Sequence, residues 1–113
     1  MTDVDMSGQA RRLRKVTEIL TWDAPDQLRY LRELLGSDEL VDELALQFDD
    51  SFQVLPELRL NDLVSKEAEV ALKALATQLA ELDGADSWSA GSLREAPEWQ
   101  RVRVLAREAL ALL

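Results

Sequence analysis

Apolar residues recur along this chain at steps of three and four, and the cleanest run lies between Ser65 and Gly84. Ala68, Leu72, Leu75, Leu79 and Leu82 follow one another at steps of 4, 3, 4 and 3, which draws one stripe down a helix. Ser65 is placed to cap the first turn, and Glu67 and Glu69 favour its positive end. Gly84 suits the left-handed residue beyond the last turn. Ala71 and Ala76 flank the stripe, so neighbouring helices can approach closely, while Lys66, Lys73 and Glu81 fall on the far side. This stretch predicts a central helix on which the others pack.

The same reading places further helices on either side. Met1 to Gly8 is polar, acidic and without period, and reads as a flexible tail. From about Gln9 to Thr21, a helix puts Leu13, Val16 and Leu20 on one face and Arg11, Arg12, Arg14 and Lys15 around the rest. Asp23, Pro25 and Asp26 open a second helix that carries Leu28, Leu31 and Leu35 inward and stops at Gly36. Ser37 reads as the cap of a third, in which Leu40, Leu44, Phe48, Phe52 and Leu55 keep helical spacing if it passes Asp49-Asp50. Pro56 ends or kinks it. Residues 52–64 admit a helical turn with a loop, or a small hairpin through Asn61-Asp62; the misplaced Pro56 favours the former. Ser89 caps a short helix, with Trp88 and Leu93 at staple positions. Pro97 opens the last helix, where Trp99, Val102, Ala106, Leu110 and Leu113 share a face widened by Leu105, Ala109 and Leu112. The expected fold is all-α: a single small domain over residues 9–113, of about five to six helices packed around a central helix near residues 65–83.

Composition narrows the function by exclusion. The chain has 113 residues and a net charge of −9, with no histidine and no cysteine. Missing histidine removes the usual general base, the Ser-His and Cys-His pairs and the commonest metal ligand. Missing cysteine excludes disulfides and the familiar zinc and iron–sulfur ligand sets. The four glycines are scattered at element ends, so no phosphate loop is present. No cofactor is implied and no catalytic residue stands out, so the chain reads as a non-enzyme. Nucleic acid and anionic membranes would be repelled, and no apolar run reaches the ~18 residues of a membrane span. The start MTDVDMSGQA lacks the basic and apolar segments of a signal peptide. A cytoplasmic monomer or homodimer is the expectation.

Charge is the informative departure. Residues 9–35 carry six basic and four acidic side chains, net +2. Residues 36–58 carry Asp38, Glu39, Asp42, Glu43, Asp49, Asp50 and Glu57 with no basic residue, net −7. Asp38/Asp42 and Glu39/Glu43 are like-charged i,i+4 pairs, each costing a few tenths of a kcal/mol in a helix. Asp49-Asp50 is the only adjacent pair of aspartates, and nothing around it has calcium-loop spacing. The acidic run reads as a solvated face, as a surface paired with the basic first helix, or as a partner site. In the third reading, Asp38, Glu39, Asp42, Glu43, Asp49 and Asp50 surround Leu46, which faces away from the core arc. That is the layout of a small apolar centre with a polar rim.

Three functions follow from this pattern. The first is a protein–protein interaction module presenting its acidic helix to a basic protein partner. In charge and size alone it resembles the small acidic helical immunity proteins and antitoxins that cover basic nucleases. The second is a structural or assembly protein that self-associates through its C-terminal helix. The third is a hydrolase built on carboxylates.

Overall fold

The computed structural model describes residues 6–37, 40–82 and 85–113. They form seven α-helices: α1 (Met6–Thr21), α2 (Ala24–Leu35), α3 (Asp42–Phe52), α4 (Leu55–Leu60), α5 (Lys66–Ala80), α6 (Ala90–Glu95) and α7 (Pro97–Ala111), with a 3-10 turn at Ala85–Trp88 before α6. No strand occurs among the described residues. Helix α7 lies against both α5 and α1, and α1 packs in turn on α3. The short helices close the ends: α4 touches α1 and α5, while α6 meets α2 and α7.

The stripe of α5 is buried along its whole length, from Ala68 through Leu72, Leu75 and Leu79 to Leu82 just beyond the helix. Ser65 caps it, accepting from the Ala68 N–H at 3.1 Å. The expected Gly84 terminus lies outside the described residues. Ala96 gives α7 an extended N-cap, and Pro97 sits in its first turn, where a missing N–H costs nothing. Trp99, Val102, Ala106 and Ala109 are buried there, while Leu112 stays exposed. Gly36 ends α2 with φ 75°, its N–H bonded to the Arg32 carbonyl. A side chain at that left-handed position would be strained.

Several boundaries differ from the periodic reading. Helix α1 begins at Met6, so residues 6–8 of the expected tail are helical. Asp23 occupies the N-cap of α2, but its carboxylate makes no capping bond. Leu35 is 38% exposed, and Gln27 is buried on the inward face instead. Helix α3 starts at Asp42 rather than after Ser37, with Val41 at its N-cap. Val41 is therefore buried where Leu40 was expected, and Leu40 is exposed. The helix does pass Asp49-Asp50 and ends at Phe52. Pro56 does not stop a helix but begins one, α4, in the second position. Asn61 and Asp62 then turn the chain toward α5, with Asp62 at φ 58°; no hairpin forms.

A buried cation ties the helix ends together. Arg103 on α7 is 2% exposed. Its Nε donates to the Trp22 carbonyl at 3.0 Å, and its Nη2 donates to the Leu93 carbonyl at 2.6 Å and to Oε1 of Gln27 at 3.0 Å. Gln27 passes the network on, donating from Nε2 to the Ile19 carbonyl at 3.0 Å. These carbonyls belong to the C-terminal ends of α1 and α6, which carry partial negative charge and lack partners within their own helices. Burial lowers the Arg103 pKa, the nearby Asp23 carboxylate raises it, and Arg107 lowers it again. The guanidinium remains protonated, because an arginine does not give up its proton in a protein.

Two stability measurements follow. Leu75→Ala and Leu79→Ala should each lower the free energy of unfolding by about 2–5 kcal/mol in urea denaturation, and losses under about 0.5 kcal/mol at both would remove the α5 stripe from the core. Arg103→Met keeps most of the volume but strands three acceptors. It should cost at least about 2 kcal/mol, whereas the exposed Arg101→Met should stay within about 0.5 kcal/mol.

Candidate functional site

A groove of about 380 Å³ runs between α3 and α5 and is lined by Asp42, Ala45, Leu46, Phe48, Asp49, Ala76, Leu79, Ala80 and Trp88. Helical geometry explains its make-up. Asp42, Ala45, Leu46 and Asp49 stand at i, i+3, i+4 and i+7 and so share one face of α3. Ala76, Leu79 and Ala80 repeat that spacing on α5, and the two alanines are small enough to leave the groove open. Trp88, at the end of the 3-10 turn, completes the lining. It is held edge-on to Trp99 with ring centres 6.1 Å apart, while Trp99 itself donates from Nε1 to the Ser87 carbonyl at 2.9 Å.

The floor is apolar and firm. Phe48 is buried and stacks on Phe52 with centroids 5.5 Å apart and planes at 25°. Above it Leu46 is 52% exposed, so the leucine that the wheel turned away from the core does stand in solvent, within the groove. Asp42 and Asp49 also line the groove, two turns apart on one helix, or about 10.5 Å along its axis. Both are exposed. Glu43 and Asp50 lie on α3 outside the groove, half-buried and exposed respectively. Asp38 and Glu39 lie outside the described residues.

Among the described residues, internal neutralisation does not reach Asp42, Glu43, Asp49 or Asp50. The ion pairs among the described residues are Lys15–Glu18, Arg29–Asp26, Arg59–Glu69 and Lys73–Glu69, and none engages Asp42, Glu43, Asp49 or Asp50. Asp49 accepts a hydrogen bond from Nε2 of Gln53 at 3.2 Å, a neutral partner. The two ends of α3 also differ. Asp42 and Glu43 sit in the first turn, where the helix dipole welcomes them. Asp49 and Asp50 sit in or near the last, where it opposes them and no basic residue compensates.

The sequence reading missed what came from other elements. Trp88, Ala76, Leu79 and Ala80 reach the groove only through tertiary packing, and no local spacing announces that. Arg103 had a visible signal. It stands four residues after Trp99 and three before Ala106, on the buried arc of α7, where a polar residue demands an explanation. Among the described residues, no three acidic side chains converge as a metal site, and no helix is long and apolar enough to cross a membrane. Comparison with protein-family models, curated proteins and solved structures found no match, so the groove itself carries the functional argument.

Leu46→Ser tests its surface character. The unfolding free energy should change by no more than about 0.5 kcal/mol, as at an ordinary exposed position; a fall above about 2 kcal/mol would put Leu46 in the core.

Proposed function

We propose that this protein is an interaction module that takes a basic segment of a partner protein into the α3–α5 groove. The observation that carries the reading is the combination at that groove: an apolar floor of Leu46, Phe48, Leu79 and Trp88, edged by two aspartates without internal cations. A partner residue of apolar character would cover Leu46, and cationic groups on either side would meet Asp42 and Asp49. Apolar centres with a charged rim fix register and speed association, while the buried contact holds the complex. The role is binding rather than catalysis, in the cytoplasm, a setting that the cysteine-free composition fits.

Self-association through α7 is less well supported. Trp99, Val102, Ala106 and Ala109 are already covered within the chain, leaving Val104 and Leu112 as its large exposed apolar residues.

Site-specific photo-crosslinking in the native host tests the proposal. A crosslinking side chain at position 46 should trap a basic protein, and one at position 104 should not. Reversing charge with Asp42→Lys and Asp49→Lys should weaken capture at least about tenfold at low salt. Equal trapping at both positions, or capture indifferent to the reversal, would overturn the reading.

A further inference from the structure

Arg103 has an edge that the fold does not use. Its Nε and Nη2 are committed to Trp22, Gln27 and Leu93, whereas Nη1 has no hydrogen-bond partner among the described residues. Arg103 lines a cleft of about 330 Å³ together with Asp23, Ala24, Pro25, Arg94 and Gln100. The guanidinium is thus held through two of its nitrogens, while the third, Nη1, makes no bond within the described fold.

Two further side chains lining the cleft are donors, Arg94 and Gln100. Arg94 is exposed and takes part in no ion pair or hydrogen bond among the described residues. Gln100 contributes an amide. Ala24 and Pro25 are the first two residues of α2, a helix of 12 residues, so its positive end faces the same space. Opposed to these is one carboxylate, Asp23. The cleft therefore carries a positive excess in a chain whose net charge is −9. Arg103 also brings a desolvated charge whose bonded partners are all neutral, two carbonyls and an amide. A bound anion would add a countercharge to that of Asp23 at little conformational cost, since the arginine is already in place.

We propose that this cleft binds a carboxylate, held between Nη1 of Arg103 and the guanidinium of Arg94 beside the N-terminal end of α2. The presence of Asp23 selects a singly charged group over a dianion, because two guanidinium charges against one aspartate leave a single excess. The ligand is either a small free acid or the terminal carboxylate of a peptide. This site is independent of the α3–α5 groove and shares no residue with it.

The test is a titration of the intact chain with sodium N-acetylglycine at chloride-matched ionic strength, read by the Nε–H resonance of Arg103 in a proton–nitrogen spectrum. A saturable shift is expected, with N-acetylglycinamide giving none. Arg94→Gln changes an exposed side chain, leaves Arg103 in place, and should weaken binding roughly tenfold, the value of one charge-assisted contact. Asp23→Asn keeps a residue suited to the N-cap and removes the competing charge, so it should tighten binding about threefold or more. A tripeptide with a free C-terminus, beside its amidated form, distinguishes the two sources: tighter binding than N-acetylglycine marks a chain terminus, and equal or weaker binding marks a small acid. Shifts that match the chloride blank or the neutral amide, or that are the same in wild type and both variants, would overturn the site.

Discussion

The guanidinium of Arg103 is the contact on which the arrangement of helices depends. Helix α1 ends, the chain turns through Trp22 and Asp23, and α2 begins; later α6 ends, Ala96 extends, and α7 begins. Both corners leave C-terminal carbonyls facing inward, and such groups need donors. Arg103 reaches one corner through Trp22 and Gln27 and the other through Leu93. Removing a cation from water costs several kcal/mol after relaxation. Three hydrogen bonds to a charged donor, each worth about 1.5–3 kcal/mol, are enough to offset that. The outer guanidinium of Arg107 adds a longer contact to the Thr21 carbonyl at 3.4 Å. The network acts over sequence separations of 76 and 81 residues, so it fixes how the first and last thirds of the chain meet, something that apolar packing alone specifies less sharply.

Helix α3 shows the opposite economy. Val41 provides no side-chain cap. Asp49 and Asp50 oppose the dipole, and Ser51 buries a hydroxyl that has no partner among the described residues, a loss on the order of 1–3 kcal/mol. What holds α3 is its packing against α1 through Leu44 and Phe48. Places where a chain departs from its own local rules without compensation are those where function is expected to have a claim. The groove runs between this helix and α5, and its exposed leucine and both of its aspartates stand on α3.

How much of this was legible follows from which interactions are local. The α5 stripe, the Ser65 cap, Gly36 and the Pro97 start are spacing and backbone rules acting within a few residues, and each appears as read. The start of α3 was misplaced because Ser37 is a good cap and Leu40 keeps the period. The period is kept equally well without Leu40, since Val41 and Leu44 are three apart and bury instead. Pro56 was read as a terminator although proline is equally at home in a first turn. Leu46 was legible because one helix wheel decides which way it faces. Its neighbours on α5 and the 3-10 turn were not, because they arrive from 30 or more residues away. Arg103 and Gln27 were overlooked because a search for apolar positions passes over polar ones standing on the same arc.

The structure also narrows the meaning of the acidic run. Pairing with the basic first helix would have required Arg12, Arg14 or Lys15 to face α3. The period forbids it: Leu13, Val16 and Leu20 are buried on the inner side of α1, and Arg12, Arg14 and Lys15 remain exposed. The two helices meet through their apolar faces, and among the described residues no ion pair joins Arg12, Arg14 or Lys15 to Asp42, Glu43, Asp49 or Asp50. For those four acids, that leaves a solvated face or a partner site. A solvated face explains Asp42 and Glu43, which gain from the helix dipole. It does not explain Asp49, which loses by its position and yet stands at the edge of an apolar groove, two turns from Asp42. Segregated charge of this kind projects a field over about a Debye length, ~8 Å at physiological salt, and raises the rate at which oppositely charged partners arrive. The fold thus keeps an unneutralised negative edge beside exposed Leu46, and the proposed docking of a basic segment rests on that combination.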